Sequence, residues 1–241
     1  METVPTLRVI AHIHTEFPQK FGLPRQSGLA PTRARIVMEP AYRQPEALRG
    51  IDGFSHIWLL WQFSESLRDT WSPTVRPPRL GGNTRMGVFA TRSPFRPNAI
   101  GLSSVRLDAV EWETPNGPVL WVSGADLLDG TPLYDIKPYL AYTDAHPEAF
   151  GGFAAEALGE RLRVRCPEEW ERVVPEERRA ALHAVLAQDP RPAYQEDPER
   201  VYGFVFAGCH VHFRVAGETL YVTEITRTDE EPPCGAEGQK G

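Results

Sequence analysis

Long apolar runs are missing from this 241-residue sequence. A membrane-spanning helix needs about 20 consecutive apolar residues, and the best run here, HIWLLWQF at 56–63, is short and carries His56 and Gln62. The N-terminus has no charged segment followed by a long apolar stretch, which argues against secretion. Cysteine is scarce as well: Cys166, Cys209 and Cys234 are odd in number and widely spaced, so no disulfide framework is expected. Together these absences predict a cytoplasmic protein with no membrane partner.

The common catalytic and phosphate-binding signatures are absent too. No G-x-G-x-x-G and no G-x-x-x-x-G-K-[ST] occurs, which excludes a dinucleotide-binding or P-loop fold. Without G-x-S-x-G there is no hydrolase nucleophile elbow. Cys209, in an aromatic-rich strand, reads as a packed thiol. His12 with His14, and His210 with His212, would each share one strand face. Neither pair has a second cluster at ligand spacing, so no metal is expected. His146 and Glu148 form the H-x-E half of a zinc-deaminase signature, but Glu237 stands where the second cysteine after Cys234 would fall.

Proline, by contrast, is abundant: 23 residues, more than a helix-rich chain tolerates. Segments 7–14, 34–40, 56–63, 86–92 and 104–113 are short and rich in β-branched and aromatic residues, and read as strands. The turn PNG at 115–117 joins the last of these to 118–128 as a hairpin. Asp129-Gly130 marks another turn, and Pro132 and Pro138 would confine the following strand to a sheet edge. The one helical hint in this half is PEALRGI at 45–51. So many short strands hide their edges most easily by closing into a barrel. The expected fold is an N-terminal all-β barrel over 1–146 and a small C-terminal α+β domain over 147–228. That second domain holds a helix at 175–188 and three strands in 201–226. A polar, disordered tail is expected over 229–241.

Formal net charge is −6, which argues against a nucleic-acid partner until its distribution is considered. Between Thr70 and Leu107 there is no acidic residue, yet Arg76, Arg79, Arg85, Arg92, Arg96 and Arg106 all fall there. A local basic patch, rather than net charge, decides where a polyanion sits. Prolines 77, 78, 94 and 97 stiffen this segment, so its arginines lose little entropy on binding. Trp71 and Phe95 add flat faces suited to a ligand with both phosphate and base character. A second polar stretch, GADLLDGTPLYDIKPY at 124–139, brings Asp126, Asp129, Asp135, Lys137 and Tyr139 together. The alternation of Asp135, Lys137 and Tyr139 puts three polar side chains on one strand face, toward solvent or a site.

The blocks PRQSGL, VRPPRLGG, FATRSPFRPNAIGLS, DLLDGTPLYDIKPYLAY and VLAQDPRPAYQ, in this order between Leu7 and Ile225, resemble the bacterial tRNA N6-threonylcarbamoyladenosine methyltransferases, the TrmO (YaeB, TsaA-like) family. The resemblance implies a β-barrel that binds S-adenosylmethionine without a Rossmann fold, acts as a homodimer and methylates N6 of threonylcarbamoyladenosine at position 37 of a threonine-type tRNA. It points to Pro24, Arg25, Gln26, Arg92, Ser93, Leu102, Asp129, Gly130, Thr131 and Pro132 for the methyl donor. Asp135, Lys137 and Tyr139 are expected at the reacting centre, with Asp135 as the base. Arg76, Arg79, Arg85, Arg96 and Asn98, with Arg191 and Tyr194 of the second domain, are expected on the anticodon stem-loop. The same loops would also serve a non-catalytic sensor of S-adenosylmethionine or RNA, or a methyltransferase with another acceptor.

Overall fold

The structure, a computed structural model, describes residues 6–77, 84–156, 161–191 and 197–228. Arg79, Tyr194 and the segment 229–241, on which expectations were placed above, lie outside the described residues. The first part contains β1 (Ala11–Thr15), β2 (Arg33–Met38), β3 (His56–Gln62), the two-residue strands β4 (Thr74–Val75) and β5 (Met86–Gly87), β6 (Ile100–Glu111), β7 (Val119–Ser123) and β8 (Thr131–Pro138). Six of these close into a barrel in the order β1-β2-β7-β6-β3-β8, each neighbour antiparallel.

Strand periodicity explains the closure. In β3 alternate residues Ile57, Leu59 and Trp61 are buried, while His56, Trp58, Leu60 and Gln62 look outward. Ile13, Ile36 and Leu120 face one another across β1, β2 and β7, forming one layer of a packed interior. Burying a side chain of this size stabilises the fold by about 1.5–3 kcal/mol.

Three sequence expectations need correction. β8 is no edge strand: it pairs with β1 through Thr131–Leu133 and with β3 through Leu133–Pro138. Its prolines sit at the second and last positions, and a register shift leaves Tyr134 as the extra residue of a bulge. Strand ends and bulges are places where a missing N–H is tolerated. The 86–92 segment is a strand only at Met86–Gly87, then a 3-10 turn over Val88–Ala90 that buries Val88. PEALRGI forms a 3-10 turn over Pro45–Leu48, and a second, Ile51–Gly53, starts at its last residue, in place of an α-helix.

Short helices α1 (Ala141–Asp144) and α2 (Phe153–Glu156) follow. Then come β9 (Arg163–Arg165), α3 (Glu168–Glu171), α4 (Glu176–Ala187), β10 (Tyr202–Phe206), β11 (Cys209–Ala216) and β12 (Thr219–Arg227). The second sheet runs β10-β11-β12-β9, with β9 parallel to β12. With only three residues, β9 left no periodic signal in the sequence. Val211, Phe213, Leu220 and Val222 of this sheet form a core with Leu182, Val185 and Leu186 of α4. No helix among the described residues is long and apolar enough to cross a membrane.

The loop between β1 and β2 joins the two parts. Phe17 and Ala30 are buried in the second core, with Phe21 and Leu23 packed against it. Gly22 has φ +94°, and a Cβ there would lie 2.4 Å from the Phe204 ring. Glu16, almost wholly buried, pairs with Arg178 of α4 and accepts the Arg33 N–H at 3.3 Å. Burial pushes the Glu16 carboxyl up to about 7 from 4.5, with Arg178 and the Arg33 N–H pulling the other way. The folded chain therefore holds a proton that the unfolded chain has released between those values, and the group's contribution to stability falls as pH rises through that window. The Tm of the wild type minus that of Glu16→Gln is expected to fall from about pH 5 to about pH 7.5, as read by thermal unfolding; a flat difference would mean that Glu16 stays ionised throughout.

Candidate active site

Because neighbouring barrel strands run in opposite directions, one rim gathers the C-terminal ends of β1, β3 and β7 and the N-terminal ends of β2, β6 and β8. Loops 16–32, 63–99 and 124–130 therefore leave from the same rim. Backbone hydrogen bonds join the first and last of these, Gly28 N–H to Gly124 O at 2.8 Å and Asp129 N–H to Phe17 O at 2.9 Å, and Phe63 N–H to Ala99 O at 2.9 Å closes the base of the second.

Most residues expected to hold the donor sit on this rim. The Arg92 guanidinium donates to Gln26 Oε1, and Gln26 Nε2 donates to Arg25 O at 2.6 Å. Arg25 reaches the second domain, its guanidinium donating to the Asp189 carbonyl and its backbone N–H to Gln188 Oε1 at 3.4 Å. Ser93 accepts the Phe95 N–H at 3.2 Å, closing the turn after Arg92. The turn from Asp129 to Pro132 is engaged internally. Asp129 Oδ1 accepts the Thr15 N–H at 3.0 Å and lies 3.3 Å from His14 Nδ1, and the buried Thr131 hydroxyl donates to Leu128 O at 2.8 Å. Gly130 takes φ +73°, which a side chain would resist.

Asp126 was passed over as a site residue in the sequence, and the structure puts it at the centre of this rim. Its Oδ1 accepts the Ser103 hydroxyl at 2.6 Å, and Ser103 Oγ accepts Trp61 Nε1 at 3.0 Å. Burial pushes its carboxyl up, opposed by Ser103, its own N–H, the Ser27 N–H and the Arg92 charge. The signal available beforehand was an acid set between Ala125 and Leu127, both fully buried. Gly101 is part of the same construction: opposite Trp61 in the ladder, it lies under the indole, and a Cβ would be 2.2 Å from Trp61 Cε2.

The expected reacting group divides along β8. Asp135 and Lys137 lie outside the barrel, opposite Leu60 and Trp58, and form an ion pair at 2.8 Å. The hydrogen bond and charge of Asp135 hold the Lys137 ammonium above its ordinary value. Tyr139 lies past the end of β8 at the opposite rim, where its N–H donates to His56 O at 3.0 Å and its ring tilts against Trp58 at 5.5 Å. Trp58 Nε1 donates to Asp144 Oδ2 at 2.8 Å; with the Leu140 N–H first, this contact lowers the Asp144 carboxyl. A cleft of about 340 Å³ runs over this wall, lined by Trp58, Leu60, Leu102, Lys137, Asp144 and His146 among others. Leu102, Leu60 and Asp135 are successive cross-strand neighbours. Leu102, expected at the donor, and Asp135 thus share one outer face, two strand spacings or about 10 Å apart.

Residues expected on RNA are dispersed over the loops. Arg76 and Asn98 are exposed, and Arg85 Nη1 donates to Thr74 Oγ1 at 3.3 Å. Arg96 instead holds its own loop, donating to Thr91 O at 2.9 Å and Ser93 O at 3.3 Å. The Arg191 guanidinium donates to both Asp189 carboxylate oxygens, at 2.8 and 2.9 Å, just beyond α4 and beside the Arg25 contact. Among the described residues no three His, Cys, Asp or Glu side chains gather as a metal site. His12 lies 2.7 Å from Glu39 and His212 3.3 Å from Glu224. Burial raises both described thiols, Cys166 to about 11 with help from the Glu171 charge.

Fold and site define a two-domain β-barrel protein that gathers polar side chains on the loops of one rim, where no α-helix begins among the described residues. The chain belongs to the tRNA-methyltransferase O family: the model of that family's N-terminal domain matches residues 12–145, and that of its C-terminal domain residues 159–228. It is 41% identical over 226 residues to the tRNA (adenine(37)-N6)-methyltransferase of Escherichia coli K12, covering 89% of this chain and 96% of that one. It is 44% identical over 216 residues to a putative S-adenosylmethionine-dependent methyltransferase, RcsF, of Pseudomonas aeruginosa, covering 85% and 90%. A crystal structure of TrmO from P. aeruginosa superposes with a TM-score of 0.76 at 35% identity, covering 94% of this chain and 99% of that one.

Two substitutions test this construction. Gly101→Ala should displace Trp61 and destabilise the barrel by about 1–3 kcal/mol in urea unfolding, the usual range for overpacking. Arg96→Ala should release the Thr91 and Ser93 carbonyls and weaken donor and RNA binding together, measured by calorimetry and filter binding. Loss of RNA affinity alone would instead make Arg96 a direct phosphate contact.

Proposed function

We propose that the chain transfers a methyl group from S-adenosylmethionine to N6 of threonylcarbamoyladenosine at position 37 of a threonine-type tRNA, as a homodimer in the cytoplasm. The coarser statement, a methyltransferase acting on tRNA adenine, follows from family membership along both domains. The observation that carries the finer reading is the outer face shared by Leu102, Leu60 and Asp135, which runs from the donor rim to a paired carboxylate.

The rim residues fit the donor by their chemistry. S-adenosylmethionine carries a carboxylate, two cationic centres and a flat adenine, and when bound it supplies an electrophilic methyl group. Arg92 offers a guanidinium for the carboxylate. Asp126, pushed toward protonation by burial, gains from any cation set beside it. Leu102 and Ile100 present apolar surface on the outer face for the ring.

For the acceptor, N6 belongs to a urea-like group whose lone pair is delocalised, so its proton must leave at or before transfer. Asp135 takes that proton. Lys137, held protonated by Asp135, is no base; it keeps the carboxylate oriented. Tyr139 packs against Trp58 beyond the end of β8 and is no third member of a proton relay. Positioning of this kind supplies up to about 7–11 kcal/mol of the barrier lowering in well-oriented reactions.

Labelled S-adenosylmethionine should methylate threonine tRNA carrying threonylcarbamoyladenosine and leave an unmodified transcript unlabelled, with the product nucleoside identified by mass spectrometry. Label in neither, with donor binding intact, would turn the reading to a sensor or another acceptor. Asp135→Asn should lower kcat by roughly 10²–10⁴-fold, the range for a positioned general base, with little change in KM. An unchanged kcat would move the base elsewhere. Sedimentation of the free protein tests the dimer.

A further inference from the structure

Exposed apolar side chains are concentrated on the arginine-bearing loops. Of the twelve large hydrophobic side chains that stand exposed among the described residues, six fall between Leu67 and Leu102. Single exposed apolar residues need no explanation, but a cluster marks an interaction surface. Two of the six are aromatic neighbours: Trp71, 52% exposed, and Phe89, 73% exposed, have ring centroids 6.1 Å apart and planes 36° from one another.

The display is built in. Val88 is buried and its N–H donates to Pro73 O at 2.9 Å, tying the turn to the strand after Trp71. The Thr91 N–H and hydroxyl both close on Val88 O, at 3.1 and 2.9 Å, so the 3-10 turn is fixed at both ends. With Val88 turned inward, Phe89 is held outward. Phe95, the third aromatic here, already carries the Arg68 guanidinium 3.7 Å over its ring. The adjoining crevice, lined by Arg68, Trp71, Phe95 and Arg96 among others, measures about 170 Å³. That is below the roughly 300 Å³ at which pockets enclose small molecules, so a ligand must lie on the rings.

We propose that Trp71 and Phe89 form a stacking platform for an unpaired nucleobase of the RNA substrate. The surroundings select RNA: Arg76, Arg85 and Arg92 lie on the same loops, with no acidic residue from Thr70 to Leu107 to repel a phosphate backbone. Aromatic faces interleaved with arginines are the usual means by which proteins hold single-stranded RNA. Phe89 and Trp71 serve base stacking, and the arginines serve the backbone. This inference rests on tRNA being the substrate.

Phe89→Leu keeps an apolar side chain on the same turn and removes the aromatic face, whereas Phe89→Trp keeps one. Binding of an anticodon stem-loop carrying threonylcarbamoyladenosine is expected to weaken roughly fivefold or more in Phe89→Leu and Trp71→Ala, and to stay near wild type in Phe89→Trp. The slope of log K against log salt should be unchanged in the aromatic variants and shallower in Arg85→Ala, because stacking releases no counterions. Donor affinity, measured by calorimetry, should stay at the wild-type value in Phe89→Leu. Wild-type RNA affinity in Phe89→Leu would overturn the platform. So would a fall in sedimentation coefficient in Trp71→Ala and Phe89→Leu, which would assign the patch to contact with a second copy of the chain. Failure of the wild-type protein itself to bind or methylate the stem-loop would instead defeat the tRNA reading, a result distinguishable from either.

Discussion

The pairing of β8 with both β1 and β3 is the constraint on which the candidate site depends. It closes the barrel, and closure leaves no free edge in the first sheet. The same closure fixes which side chains of β8 look inward, where Leu133 packs, and which look outward, where Asp135 and Lys137 meet Leu60 and Trp58. The bulge at Tyr134 matters here. A period-2 reading of Leu133 would otherwise put Asp135 inside, and one extra residue turns it out onto the outer face of the barrel, opposite Leu60.

Around this frame the rim is held by buried polar contacts. Trp61, Ser103 and Asp126 form a chain from barrel interior to rim loops, and Gly101 makes room for the indole. Such a chain stabilises well when each member is satisfied and costs heavily when one is lost. The loop after β1 does a second task, carrying Phe17 into the second core and Arg25 to the end of α4. The rim loop after β1 and the second domain are therefore in direct contact through Arg25, Gln188 and Asp189, with Asp189 in a left-handed conformation at φ 52°.

Much of the fold was legible beforehand because its signals are local. Alternation in β1, β2, β3 and β7, the PNG turn, and the proline-started α4 can each be read within about ten residues. The expected donor residues Arg25, Gln26, Arg92 and Asp129 came from ordered motifs, and they lie on loops of one rim. What was not legible had no local signature. β9 is too short for periodicity, and Arg96 looks like any exposed arginine until its loop carbonyls are seen. Asp126 is one acid among three in its segment, distinguished only by partners from residues far away in the chain.

The sequence by itself determined the barrel-plus-second-domain architecture, the exclusion of Rossmann and P-loop binding, and the basic loop, because residue type and short-range spacing suffice for each. Only the tertiary structure decided that β8 is an interior strand and that Tyr139 stands apart from Asp135 and Lys137. It alone brought Asp126 to Ser103 and Ser27, and left Trp71 and Phe89 uncovered while Arg68 lies over Phe95. These depend on register, on a one-residue bulge and on contacts between loops up to about a hundred residues apart, none of which a linear pattern encodes.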